Sequence, residues 1–106
     1  MNLKELTQKA KEIKEAYAEL NKKKGQKDWG VAEYTQGFVG DVGDLVKLVM
    51  AKSGFRHYED VDHEIAHELA DCLWSVLVIA EDLEIDLEPE FVSSMEELNK
   101  KIASKK

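Results

Sequence analysis

The run His67–Ala80, HELADCLWSVLVIA, decides the fold. Around its first half, Ile65, Leu69, Cys72, Leu73 and Val76 recur at helical spacing, while Glu64, His67, Glu68 and Asp71 share the opposite side. From Leu73 to Ala80 nearly the whole circumference is apolar, which marks a central buried helix. Covering such a helix takes more neighbours than one small bundle supplies, so the pattern predicts self-association. The apolar stretch Cys72–Ala80 is too short to cross a bilayer.

Outward from this run, Asp60 or Asp62 supplies a helix start and about Leu83 a stop. Before it, the linker Phe55–Asp60 carries Arg56, His57 and Tyr58, and a helix is expected over about Val31–Lys52, closed by Ser53-Gly54. With Asp41 as origin on its wheel, Leu45, Val49, Val42, Val46 and Val39 fill one arc, and Asp44, Glu33 and Lys47 lie across from them. Gly37, Gly40 and Gly43 interrupt this helix at roughly 1 kcal/mol each relative to Ala. Either another helix approaches closely there, or a ligand uses the space above the carboxylates.

Residues 2–23 repeat Leu3, Leu6, Ala10, Ile13, Tyr17 and Leu20 at helical spacing, with lysines in the last turn and Gly25 as a stop. A loop through Lys27, Asp28, Trp29 and Gly30 follows. A last helix is expected from Glu88-Pro89, carrying Phe91, Met95, Leu98 and Ile102. One Pro and six Gly leave little room for turns, so few long helices are favoured over a sheet. The expectation is a single all-α domain over residues 1–106, a four-helix bundle completed by dimerisation.

A 43% hydrophobic and 35% charged composition is that of a globular protein. The net charge of −7 argues against binding to polymeric nucleic acid, which needs basic surface to displace counterions. It leaves open a small phosphorylated substrate whose charge is carried by metal. A single Cys72 forms no internal disulfide and fits a reducing cytoplasm. The polar N-terminal run does not read as a secretory signal, so a cytoplasmic protein without membrane attachment is expected.

Two acidic pairs sit in the most apolar segments, Asp41-Val42-Gly43-Asp44 and Glu68-Leu69-Ala70-Asp71. Carboxylates three apart share a helix face. Exposed helix faces usually intersperse lysine with acids, yet none occurs across Gly37–Asp44. Facing helices would gather four carboxylates that repel one another unless some hold protons or a divalent cation joins them. Mg²⁺ suits such an all-oxygen site and completes its shell with water and substrate phosphates. One metal orients and acidifies a water; another neutralises a phosphate leaving group. The competing reading is two solvated acidic faces.

His63-Glu64-Ile65-Ala66-His67 also matches HExxH, the zinc-protease signature. That chemistry needs a third ligand and a cleft for an extended peptide, commonly beside a strand edge. No segment reads as a strand, and the bland reading is two polar histidines near the start of a long helix.

The two acidic motifs resemble those of MazG-type all-α nucleotide pyrophosphohydrolases. The family's first motif reads close to E-E-V-G-E-L, and Gly40-Asp41-Val42-Gly43-Asp44-Leu45 stands in that place. Its second, E-E-L-A-D-V-L, is matched by His67-Glu68-Leu69-Ala70-Asp71-Cys72-Leu73. The likeness spans residues 29–83. It implies hydrolysis of a nucleoside triphosphate, ribo or deoxyribo, to the monophosphate and pyrophosphate, clearing unwanted nucleotides from the pool. It further implies Mg²⁺, with Mn²⁺ as a substitute, on Asp41, Asp44, Glu68 and Asp71, and a homodimer or homotetramer. By the same resemblance Trp29 stacks on a base, and Lys100, Lys101 or Lys47 touches phosphates. The competing readings are a packing role for Trp29 and solvated lysines. The chain departs from the family in carrying Asp for Glu at both first-motif positions, and Gly40 where a further acid is usual. Alternative readings are therefore a catalytically weak homologue that binds nucleotide, or a helical protein-interaction module.

Overall fold

The computed structural model describes residues 1–54 and 60–105, and among these the only regular secondary structure is α-helix. Four helices follow in order: α1 (Leu3–Lys23), α2 (Val31–Lys52), α3 (Val61–Asp82) and α4 (Leu87–Ser104). The linker residues Arg56, His57 and Tyr58 lie outside the described residues.

Local chemistry sets the ends. Asn2 caps α1 by accepting a hydrogen bond from the Glu5 amide (2.9 Å), and the Glu5 carboxylate accepts in return from the Asn2 amide. Gly30 precedes α2, where the Glu33 carboxylate accepts from the Gly30 amide at 2.8 Å. Asp60 takes the position before α3, as its residue type suggested, yet its side chain makes no cap. It sits at φ 53°, the left-handed region that Asp tolerates better than most residues. The last helix starts at Leu87, slightly earlier than the sequence suggested, and Pro89 falls in its first turn, where no donor is needed.

The core joins Ala10 of α1, Tyr34 of α2 and Leu77 and Val78 of α3, with Leu3, Leu6, Trp74, Ile79 and Leu87 packed against it. Trp74 donates its indole N–H to the Ala10 carbonyl at 3.1 Å and meets Tyr17 and Tyr34 edge-on at 6.1 and 5.7 Å. Lys14 binds Glu81 and Asp82, tying α1 to the end of α3. Burial lowers the affinity of the Lys14 ammonium for its proton, but the two carboxylates outweigh this together and leave it raised.

Two apolar faces stay uncovered within the chain. The valine arc of α2 is not what this helix buries: Tyr34, Leu48 and Ala51 are buried, while Val39, Val42, Val46 and Val49 are exposed. The helix is apolar over more than one face, and α3 covers only the face centred near Asp41. Likewise α3 is not enclosed all round. Ser75, Leu77, Val78 and Ala80 are buried, but Leu73 is 46% exposed, because α1 and α2 leave one flank of α3 open. Helix α4 buries no residue at all.

Candidate metal centre

Lys52, at the end of α2, pairs with Asp62, at the start of α3, and further along Asp41 meets Ser75, so these helices run antiparallel. Their midpoints therefore meet, and the acids there share the interface. Asp41 and Asp44 from α2 and Glu68 from α3 each place a carboxylate oxygen within 4.8 Å of the others. Among the described residues this is the only cluster of three or more potential metal ligands.

The electrostatics follow from the crowding. Burial, then the charges of Asp71 and Asp44, raises the Asp41 carboxyl above its ordinary value, and the nearby Ser75 hydroxyl pulls partly the other way. Burial, then Asp41, Asp71 and Asp44, raises Glu68 as well, against a small opposing effect of His67. Glu68 Oε2 is shut off from solvent and has no hydrogen-bond partner. A buried acceptor without a donor is costly. The same field reaches Cys72, whose thiol is pushed up by burial and by Asp41, Glu68 and Asp71.

Asp71 stands one turn beyond Glu68 but does not enter the cluster of three. Its Oδ2 lies 3.3 Å from His67 Nε2, in a pair that is largely solvent-exposed. His63, Glu64 and His67 are all exposed on the first turns of α3, and no described residue joins the two histidines as a third ligand. Among the described residues the HExxH spacing thus gathers no zinc site.

Trp29 packs edge-on against Tyr34, centroids 5.5 Å apart, and covers Gly37, where a Cβ would lie 3.3 Å from Trp29 Cζ3. Gly37 accordingly serves close packing. Gly40 and Gly43 have nothing within 4 Å and leave open space beside the acids. Lys47 is exposed on α2, and Lys100 and Lys101 are exposed on α4. None of the three forms an ion pair with the acids among the described residues.

Sequence reasoning missed Ser75 and Cys72, which adjoin the acids. Helical spacing signals both, since Cys72 follows Glu68 by four residues and Ser75 follows Asp71 by four. It also missed a cavity of about 380 Å³ lined by Tyr17, Asn21, Gln26, Trp29, Tyr34 and Trp74. A cleft of about 410 Å³ between α1 and the start of α4 reaches α3 only at Ala80 and Glu81, well beyond the acids.

No family model, curated protein or solved structure matches the chain.

Proposed function

We propose that the chain is a Mg²⁺-dependent nucleoside triphosphate pyrophosphohydrolase of the MazG-like kind, with Asp41, Asp44, Glu68 and Asp71 as its metal-binding acids. The observation that carries this reading is the convergence of three carboxylates from two helices, with Glu68 Oε2 buried and unpartnered. A solvated acidic face would leave that oxygen to water. An all-oxygen donor set of this size suits a hard divalent cation, Mg²⁺ or Mn²⁺, better than zinc. Such a cation supplies neutralising charge to the cluster and to substrate phosphates.

The chain's own residues then have defined tasks. Asp41 and Glu68, whose carboxyls are raised by burial and by the neighbouring acids, would hold the cation, whose charge would offset that crowding. Hydrolysis adds water across the α–β phosphoanhydride. The water oxygen bonds to the α-phosphorus, a carboxylate of the cluster takes its proton, and pyrophosphate leaves. Tyr34 precedes Asp41 by seven residues on the same face of α2, about 10 Å of helix rise, a distance suited to the sugar and base of a nucleotide. The aromatic cavity there offers Trp29, Tyr34 and Trp74 for stacking, and the Asn21 and Gln26 amides for a base edge.

The test is product analysis with Mg²⁺ and a panel of normal and modified nucleoside triphosphates. Monophosphate plus pyrophosphate, lost in Asp71→Asn, is the expected result; no turnover of any substrate refutes it. A second reading is favoured by the His67–Asp71 pair, which holds one of the four acids outside the cluster. In that case the chain binds nucleotide with metal but turns it over weakly or not at all. Calorimetry showing Mg²⁺-dependent nucleotide binding without product would select it.

A further inference from the structure

One stripe of α2 runs from the aromatic cavity to the acids. Gly37, Gly40, Asp44 and Lys47 follow at spacings of three, four and three, so each is the next one's neighbour on the helix surface. Trp29 is both a wall of the cavity and the ring that lies over Gly37, so the cavity borders the near end of the stripe. Asp44, whose carboxylate comes within 4.8 Å of those of Asp41 and Glu68, brings the acids to the stripe one turn beyond Gly40. Lys47 extends it by another turn and is exposed.

Gly40 is the gap in this line. Glycine inside a helix is destabilising relative to alanine, and a close neighbour is the usual reason for one. Gly37 has such a neighbour in Trp29, but a Cβ on Gly40 would meet nothing within 4 Å. Packing within the chain therefore does not account for Gly40. Gly43 is equally open, yet it stands about 200° round the helix from Asp41, on the face turned away from α3. The space over Gly40 lies instead between an aromatic ring and a carboxylate, and it is one helical turn long, about 5 Å, comparable to the breadth of a sugar ring. The two ends of the stripe limit what can lie across it. An aromatic wall suits a heterocycle, and acids that hold a hard cation suit phosphate. In a nucleotide the group that joins those two is the sugar, which is uncharged and needs room but no counter-charge.

We propose that Gly40 is the seat of the nucleotide's sugar and a specificity-determining residue of the site. Its missing side chain lets the sugar lie on the α2 backbone, so that the base reaches the cavity while the phosphates reach the acids. This assignment rests on the hydrolytic reading above and names the part of the substrate that crosses α2. A side chain at this position bars the sugar but leaves the acids untouched, so it separates nucleotides from bare phosphate chains.

Calorimetry in Mg²⁺ tests it, with the α,β-imido analogues of the common ribo- and deoxyribonucleoside triphosphates, which resist cleavage at that bond, and with inorganic tripolyphosphate. The proteins compared are wild type, Gly40→Ala, Gly40→Leu and Gly43→Ala. Gly40→Ala should weaken the best-bound analogue by about tenfold, the scale of forcing one methyl into a filled contact, and Gly40→Leu by more. Tripolyphosphate should bind all four proteins alike, and Gly43→Ala should match wild type for every ligand. Both Gly40 variants should melt no lower than wild type, since the added Cβ meets nothing. Unchanged analogue binding in both Gly40 variants overturns the assignment and leaves the hydrolytic reading standing. Parallel loss of tripolyphosphate also overturns it, by giving Gly40 to the phosphates, as does an equal loss in Gly43→Ala, which would make the effect one of helix stiffness. A wild type that binds no analogue overturns both readings.

Discussion

Replacing Glu68 by Gln should stabilise the metal-free protein while abolishing its response to Mg²⁺. In the folded chain the Glu68 carboxylate lies within 4.8 Å of those of Asp41 and Asp44. Two unit charges at that separation repel by about 0.9 kcal/mol in bulk water and by about 3.5 kcal/mol at an effective dielectric near 20. Asp44 is exposed and Asp41 only half-buried, so the aqueous end of that range applies. Two pairs then give about 1–2 kcal/mol of relief when the charge is removed. The new amide can also donate to a neighbouring aspartate, where the native Oε2 has no partner. For a domain of this size the gain corresponds to a melting temperature raised by about 5–10 °C. Thermal unfolding at about pH 8, well above the carboxyl range, reads this directly with a chelator present. Adding Mg²⁺ should raise the wild-type melting temperature, by about 2.7 kcal/mol of stability at a hundredfold excess over the dissociation constant, and leave the variant unmoved. A Gln variant less stable than wild type without metal, together with no Mg²⁺ effect on wild type, would show that the acids are a solvated surface.

Other consequences can be checked separately. Because the folded-state values of Asp41 and Glu68 are raised, their contribution to stability is fully present below the ordinary carboxyl range and is lost as pH rises through the folded-state values. Metal-free denaturant titrations should therefore show stability falling from about pH 4 upward at these sites, and a flatter profile in the Asp41→Asn/Glu68→Gln double variant. Gly40→Ala meets nothing within 4 Å and should stabilise the helix by up to about 1 kcal/mol in urea unfolding, whereas Gly37→Ala pushes on the Trp29 ring and should gain less or lose. Trp74→Phe removes the bond to the Ala10 carbonyl and should cost about 1–2 kcal/mol by the same measurement.

The four helices were legible because their apolar positions recur at helical spacing and their ends carry Gly25, Ser53-Gly54, Asp60 and Pro89. Periodicity shows that a face is apolar but not which neighbour covers it. On α2 the apolar arc is so wide that Leu48 and the valines had equal claims, and only the position of α3 separates them. The pairing of Asp41 and Asp44 with Glu68 was legible for a related reason: acids at i and i+3 share a helix face, and no lysine is interspersed across Gly37–Asp44. What spacing does not contain is which carboxylates across the interface come within reach of one another. Asp71 acts on Asp41 and Glu68 by its charge, but its Oδ2 lies 3.3 Å from His67 Nε2. Nor can a helical wheel foresee that Gly37, alone of the three glycines of α2, is filled by a ring from the preceding loop.

The first-motif aspartates have a shorter reach than glutamates, and Gly40 and Gly43 do not offset this by letting another helix close in, since nothing approaches either. Closure comes instead from the longer arm of Glu68, the one glutamate of the four, which crosses from α3 to both aspartates. Asp71 has the short arm and a competing partner, so the fourth ligand is the weak point of the site. His67 and Asp71 are 63% and 42% exposed in their side chains, and a polar contact so open to water is worth at most about 1 kcal/mol. If Asp71 must leave His67 to reach the cation, His67→Ala removes that competition and should tighten Mg²⁺ binding by no more than about fivefold, 1.4 kcal/mol being tenfold. If Asp71 reaches the cation while still held by His67, the histidine orients its ligand, and its loss should weaken binding instead. Either shift in the midpoint of a Mg²⁺ titration, followed by melting temperature, ties Asp71 to the metal. An unchanged midpoint in both His67→Ala and Asp71→Asn would remove Asp71 from the ligand set and leave a three-carboxylate site.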